Sequence, residues 1–194
     1  MRLDEVLIEL NALDTERLLL RKMGMDDAYE LLDYARDPDV AKYTSWEPHK
    51  GIADARGYLA TVVDAYRRGS PTPWAMISKE NGKFIGTCGY TSWNFQNHRA
   101  DIGFTLAKEY WAQGYMAEAV QRFVSLGFRS MELNRIESSC WVEDDATGRL
   151  LEDLGFQYEG ILRGYLLIRE RYCDIKMYAM LRSDWEKRRD IIQG

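Results

Sequence analysis

Ala100, Ile102, Phe104 and Leu106 alternate with Asp101, Gly103 and Thr105. A period of two predicts a pleated strand over 100–106. Past Gln113 and Gly114 the period lengthens. Met116, Val120, Phe123, Val124 and Gly127 fall on one face at helical spacing, and Ala117, Glu118 and Ala119 are strong helix formers. This pattern predicts a long amphipathic helix over about 115–131. A strand, a glycine turn and a helix thus follow one another directly.

The rest of the chain reads in the same way. Residues 17–23 suit a first strand. Asp26 or Asp27 can cap a helix reaching about Arg36, and Asp37-Pro38 stops it. Residues 43–51 form a loop that carries Trp46. Leu59, Val62, Val63 and Tyr66 mark the apolar stripe of a helix over 53–68, ended by Gly69. Strands at 74–79 and 84–90 are joined through Asn81-Gly82, a hairpin signal. The strand at 100–106 is then the fourth, and 135–142 the fifth. Asp144 or Asp145 caps a short helix with Ala146, Leu150, Leu151 and Leu154 apolar, and Gly155 ends it. Strands near 161–169 and 173–181 make a final hairpin, and Glu186–Arg189 reads as a solvated terminal helix. The succession predicts an α+β fold, an α/β mixed sheet with helices on both faces. No repeat or linker interrupts it, so residues 1–194 read as a single domain.

Composition narrows the functional classes. With 194 residues, 46% hydrophobic and 29% charged, the chain can bury one core and solvate its surface. A net charge of −5 argues against nucleic acid as a partner and favours a cationic one. Cys88, Cys140 and Cys173 are far apart with no CxxC pair, so they read as reduced thiols of a cytoplasmic protein. His49 and His98 are the only histidines, which leaves little for a metal centre, and no metal is expected. The stretch MRLDEVLIELNAL carries acids and no cleavage pattern, and no apolar run is long enough for a membrane span.

The chemistry concentrates at the glycine turn. A glycine ahead of a helix lets backbone approach a ligand. The free N–H groups there, with the positive end of the helix dipole, suit a phosphate or pyrophosphate. Any α/β domain contains such junctions, and the chain has neither GxxxxGK[ST] nor GxGxxG.

Four co-linear segments extend the argument: TERLLLRKMGMDDAYEL, then FIGTCGYTSWNFQNHRADIGFTLAKEYWAQGYMAEAV, RIESSCWVEDDATGRLLEDLGFQYEGILR and RYCDIKMYAMLRSDW. In this order, over roughly 13–185, the chain resembles the GCN5-related N-acetyltransferase (GNAT) superfamily, and within it the ribosomal-protein N-acetyltransferase branch. The resemblance implies a mostly antiparallel sheet splayed between the fourth and fifth strands. It also implies acetyl-CoA as co-substrate. The family's Q/R-x-x-G-x-G/A turn falls on Trp111, Ala112, Gln113, Gly114, Tyr115 and Met116, with Ala117 next; Trp111 and Met116 depart from the pattern. The pantetheine arm is implied along Phe104, Thr105 and Leu106, using backbone groups that the splay frees. The pattern N-x-x-[AS] falls on Asp144 and Thr147. Asp144 replaces an Asn, keeping a cap but losing an amide donor. Leu151 stands where the superfamily often has a Tyr acid. Another group must protonate the thiolate, or it leaves unaided, which a thiol pKa of ~8.5 allows.

The resemblance implies N-acetylation of a primary amine, either a protein N-terminus or a small amine. The amine must lose a proton to a carboxylate, directly or through water. Asp101, opposite in facing to Ile102, is the first candidate, and Glu159 in FQYEG the second. The oxyanion donor is expected to be a backbone N–H near Thr105 or Leu106. Trp46, Trp93 and Tyr165 are expected to wall the acceptor cleft. Cys88 and Cys140 suit strand interiors, and His98 suits the loop before the fourth strand. A homodimer stays open. A catalytically weak acyl-CoA-binding protein is the alternative that Asp144 and Leu151 keep in view.

Overall fold

The structure, a computed structural model, describes residues 10–193, with side chains through Arg188. The residues of the N-terminal stretch before Leu10, and the Arg189 side chain of the terminal run, lie outside what it describes.

Alternating apolar positions pair into one sheet. Its strands are β1 (Ala12–Asp14), β2 (Leu18–Arg21), β3 (Trp74–Ser78), β4 (Phe84–Asn94), β5 (Arg99–Leu106), β6 (Arg135–Trp141), β7 (Gln157–Ile168) and β8 (Arg171–Leu181). The spatial order is β1-β2-β3-β4-β5-β6-β8-β7. Every neighbouring pair is antiparallel except β5 and β6. The helices are α1 (Ala28–Ala35), α2 (Pro38–Ala41), α3 (Ile52–Arg67), α4 (Tyr115–Arg129), α5 (Asp145–Leu154) and α6 (Arg182–Gln193). No described helix is long and apolar enough to cross a membrane.

Helices cover both faces. Thr87 and Tyr90, three apart on β4, point to opposite sides. The Tyr34 hydroxyl of α1 lies near Thr105 and Thr87, while the Tyr90 hydroxyl donates to the Phe123 carbonyl of α4 at 2.7 Å. Phe123 packs edge-on against Trp74 and Tyr90, with centroids 5.8 and 5.7 Å away. Burying such a ring contributes about 1.5–3 kcal/mol. Gly127 lets α4 come this close, because a Cβ there would stand 2.4 Å from the Tyr90 hydroxyl.

Several boundaries differ from the sequence reading. β1 is too short for a detectable period. It forms because Thr15 closes a turn, its N–H donating to the Leu18 carbonyl at 3.0 Å. The second strand element spans Leu18–Arg21 instead of 17–23, and α4 ends at Arg129, not 131. Asp37-Pro38 ends α1 but also begins α2: Asp37 accepts the Asp39 N–H at 2.8 Å, and proline suits a first helical position. β4 runs on to Asn94 through a bulge between Tyr90 and Ser92. β7 starts at Gln157, not near 161, because it is an edge strand exposed on both faces and therefore lacks alternation. Cys88, Cys140 and Cys173 are buried and free.

Candidate functional site

β5 is paired with β4 from end to end, but with β6 only at Arg99–Arg135, Ala100–Ile136 and Asp101–Glu137. Beyond Asp101 and Glu137 the parallel neighbours separate, while β6 stays paired with β8 as far as Trp141. The Ser138 hydroxyl donates to the Ile102 carbonyl at 3.0 Å and marks the fork. These strands are the fourth and fifth of the sequence reading.

Strand alternation decides which groups the gap exposes. The Ala107 N–H donates to the Ile85 carbonyl, and the Asp101 carbonyl accepts from Thr91, so odd-numbered backbone groups face β4. The Ile102 carbonyl faces β6, and the Leu106 carbonyl accepts the Trp111 indole N–H at 2.8 Å. Phe104 N–H and C=O and Leu106 N–H are thereby left on the open side. Thr105 turns away: its backbone faces β4 and its hydroxyl shares a 2.9 Å bond with Thr87. Of the two residues proposed from sequence as oxyanion donors, Leu106 is the one whose N–H faces the gap.

Downstream of β5 a 3₁₀ turn at Lys108–Tyr110 leads into the glycine turn. Ala112 has φ 57° and Gly114 φ 82°, both left-handed, and Gly114 is the N-cap of α4. The first α4 hydrogen bond is Glu118 N–H to Gly114 carbonyl at 3.0 Å. The N–H groups of Ala112, Gln113, Gly114, Tyr115, Met116 and Ala117 have no acceptor among the described residues. Such a run of unpaired amides at a helix N-terminus fits a pyrophosphate. The side chains serve other ends. Tyr115 and Met116 are buried, and Gln113 Nε2 donates to the Glu109 carbonyl. Trp111 braces the turn against the end of β5, which a sequence comparison at that position does not suggest.

At the fork, the face toward α1 carries charge. Asp101 and Glu137 are ladder partners, so their side chains lie on one face. Glu137 is buried and pairs with Arg99 at 3.2 Å and Arg135 at 2.5 Å. Arg135 also grips Glu159 with both terminal nitrogens, at 2.7 and 2.5 Å. The two carboxylates selected from sequence therefore belong to one chain of contacts, with opposite electrostatics. Burial pushes the Asp101 carboxyl up; the Ser92 hydroxyl opposes this and the Glu137 carboxylate reinforces it. The hydrogen bonds from Arg135 hold Glu159 below the usual range. Glu137 went unnoticed in the sequence because RIESSC looks like ordinary strand alternation. The signal available was an acid among small residues in a buried strand.

The short helix begins as expected, with Asp144 rather than Asp145 as the cap: its carboxylate accepts the Thr147 N–H at 3.1 Å. Asp145 instead pairs with Lys176 at 2.9 Å. Leu151 is fully buried. The Tyr178 hydroxyl approaches Gly148, one turn earlier, where a Cβ would stand 2.7 Å away. Burial, with the Asp144 charge, pushes the Cys140 thiol up to about 11.

The residues proposed to contact the acceptor do not all converge. Trp46 packs tilted against His49, centroids 5.5 Å apart, and its carbonyl accepts from Arg169 at 2.7 Å. Arg169 also bonds the Ala41 carbonyl at 2.9 Å and pairs with Glu47 at 2.8 Å. The tip of the β7–β8 hairpin is thus pinned to the Trp46 loop. Tyr43 of that loop meets Trp141 at the end of β6, centroids 5.9 Å apart. Trp141 shares the face of Glu137, so this loop borders the open side of the gap. Tyr165 is exposed on the irregular part of β7. Trp93 is placed elsewhere. It pairs opposite Ala100, beside the closed end of β5, and packs tilted against Phe95, centroids 5.2 Å apart. His98 does hold the loop before β5: its carbonyl accepts from Asn134 and Arg135 at 2.7 and 3.2 Å. Among the described residues no cluster of metal-ligating side chains occurs.

Comparison with known proteins bears on this arrangement. The family model described as Acetyltransferase (GNAT) domain matches residues 17–157. The chain is 38% identical over 176 residues to an uncharacterized N-acetyltransferase, p20, of Bacillus licheniformis, covering 91% of this chain and 99% of that protein. It is 26% identical to the [ribosomal protein uS5]-alanine N-acetyltransferase of Escherichia coli, covering 89% and 92% of the two chains. The crystal structure of a GNAT-family acetyltransferase from Bacillus anthracis superposes with a TM-score of 0.77 at 27% identity, covering 89% of this chain and 99% of the other. The forked parallel pair, the free-amide turn and the family match over most of the chain establish that this protein belongs to the GNAT family of acetyltransferases.

Proposed function

We propose that this protein, as one catalytic domain, moves the acetyl group of acetyl-CoA directly to a primary amine in the cytoplasm, with Asp101 as general base. The observation that carries the reading is the stretch Ile102–Leu106, paired with β4 but parted from β6. A run of free amides lies beyond one end of it, and a carboxylate of raised proton affinity lies at the other. The amides of Ala112–Ala117 hold the pyrophosphate. Phe104 N–H and C=O receive the pantetheine amides as an added strand would. Leu106 N–H points at the thioester oxygen and stabilises charge developing there.

The thioester supplies an activated acetyl group and a sulfur that can leave as thiolate. The chain must supply proton acceptance. A carboxylate with a raised pKa is the better acceptor, so Asp101 is favoured over Glu159, which Arg135 holds ionised and engaged. Glu159 instead keeps Arg135 oriented on Glu137. Asp144 and Thr147 fix the start of α5 beside the gap, and the thiolate leaves without a tyrosine at Leu151.

The acceptor enters from the α1 face, between the Trp46 loop and the β7–β8 hairpin. A protein N-terminus is the favoured class. The relative named for a ribosomal-protein alanine supports this. The experiment is free-thiol release from acetyl-CoA with a panel of peptides bearing free N-termini and of small amines, with mass detection of the product. Turnover of N-terminal peptides above small amines is expected. Coenzyme binding without turnover of any acceptor would leave only the weak acyl-CoA-binding protein.

A further inference from the structure

The segment TERLLLR contributes more than a strand. Arg17 lies in the turn between β1 and β2, yet its side chain reaches the glycine turn 96 positions further along. Its backbone N–H donates to Glu118 Oε1 at 2.7 Å and its Nε to Glu118 Oε2 at 2.7 Å. Its Nη1 donates to the Gln113 carbonyl at 2.9 Å, and its guanidinium stands 4.4 Å from the centroid of the Tyr115 ring. Nη2 is the atom that a Cβ on Gly114 would meet, at 3.2 Å. One side chain therefore touches the turn at Gln113, Gly114 and Tyr115 and grips the first helical turn at Glu118.

Two of these contacts bear on anion binding. A Gln113 carbonyl rotated toward the free amides would repel phosphate oxygens, and the bond to Nη1 holds it outward. Glu118 puts a carboxylate in the first turn of α4, where it favours the helix dipole but opposes a diphosphate. Burial alone would raise that carboxyl, but bonds from Thr15 and Arg17 hold it below the usual range, so it is ionised when the ligand arrives. The Arg17 guanidinium cancels the charge at contact distance.

We propose that Arg17 is a positioning residue for the pyrophosphate of coenzyme A, holding the Gln113 carbonyl out of the turn and neutralising Glu118 so that the turn amides receive the anion. The inference rests on the acetyl-CoA reading above. The plainer role is an ion pair that only ties the N-terminal strands to α4, and the two roles predict different results.

Calorimetric titration with coenzyme A separates them. Arg17→Met should raise Kd by roughly tenfold or more. kcat at saturating acetyl-CoA should stay within about twofold, because the interaction acts on binding. Glu118→Gln alone should bind as tightly as wild type or tighter, and Arg17→Met/Glu118→Gln should recover part of the loss. With S-acetylpantetheine, which lacks the pyrophosphate, kcat/KM of Arg17→Met should equal wild type. Arg17→Lys keeps the charge but cannot span both Glu118 and Gln113, so an intermediate Kd is expected; it carries the test if circular dichroism finds Arg17→Met unfolded. The proposal is overturned if both Arg17 variants bind coenzyme A as wild type does, if acetylpantetheine turnover falls in parallel, or if Glu118→Gln weakens binding as Arg17→Met does. Wild-type protein that fails to bind coenzyme A overturns the acetyl-CoA reading instead.

Discussion

On the function proposed above, the two sides of the β5–β6 gap are built on different principles. The side assigned to the coenzyme comes mainly from one continuous stretch, Arg99 to Arg129, a strand, a turn and a helix, with Arg17 reaching in from the β1–β2 turn. What it offers a ligand is mostly main chain, the open amides of Phe104 and Leu106 and those of Ala112–Ala117. The acceptor side is assembled from distant pieces. The loop around Trp46, the fork of β5 and β6 and the last hairpin meet there through Arg169, Tyr43–Trp141 and the Arg135–Glu137–Glu159 contacts. Its working parts are side chains. A backbone-built half tolerates changed side chains, such as Trp111 and Met116, as long as φ and the turn are kept. A side-chain-built half changes its acceptor when single residues change.

The sharpest way to break this contrast is at Gly114. Its φ of 82° strains any other residue, and a Cβ there crowds Arg17 at 3.2 Å. Forcing a non-glycine residue into that conformation costs roughly 1–2 kcal/mol. Gly114→Trp also puts an indole over the amides, and coenzyme affinity should fall by about 10²-fold or more. The melting shift that coenzyme A gives the wild-type protein should largely vanish. A variant that keeps the full shift would mean the coenzyme half is not built on this turn.

Next in size is Asp101→Asn, which should lower kcat by roughly 10²-fold with coenzyme affinity intact. The acid limb offers a second reading. A base must be unprotonated, so wild-type kcat/KM should fall as pH drops through a pKa above the ordinary carboxylate range, and the variant should lose that limb. The stability effect has the opposite sign. A folded-state pKa above the unfolded value means folding disfavours the charged form, so the contribution of this group is present at low pH and lost as pH rises through the folded pKa. Above the folded pKa the ionised Asp101 is a cost, and there Asn should raise the melting temperature of the unliganded protein. Near-normal turnover in the variant would remove Asp101 from the role of base.

A smaller effect isolates the acceptor half. Arg169→Ala frees the hairpin tip from the carbonyls of Ala41 and Trp46 and from Glu47. Acceptor KM should rise by roughly three- to tenfold while coenzyme Kd is unchanged. An equal loss on both ligands would show that the halves are coupled rather than separately built.

Ionic strength should matter least. The chain is acidic, with a net charge of −5, which favours an incoming ammonium group. Yet Glu47 is paired with Arg169 and Glu159 with Arg135, so much of the negative charge near the gap is compensated. Cationic peptides should exceed matched anionic ones by only about two- to fivefold in kcat/KM, and the margin should shrink as salt rises. Equal turnover at all salt concentrations would place the uncompensated acids away from the acceptor path.

The contrast between the halves also explains what could be read early. The alternation at 100–106 and the helical face from Met116 to Gly127 identified β5 and α4, because each period is local and strong. The glycine turn followed, since the left-handed φ at Gly114 and the helix N-terminus are both properties of neighbours in sequence. Asp144 as a cap is local in the same way. Edge strand β7 was only half visible, as exposure on both faces erases its period.

What the tertiary structure alone decided is every choice that depends on distant partners. Asp101 and Glu159 look equivalent in sequence. They separate because Arg135, 24 positions before Glu159, grips one, while burial and Glu137 act on the other. Thr105 and Leu106 look equally suited to face a ligand until the pairing with β4 turns one amide away. Trp46 and Trp93 are both aromatic residues in polar settings, yet one lies on a loop pinned by Arg169 and the other packs at the closed end of β5. Chain-local periods and turn chemistry fix the elements and the coenzyme turn. Electrostatics, strand register and long-range contacts act through space, so only the folded chain separates Asp101 from Glu159 and Trp46 from Trp93.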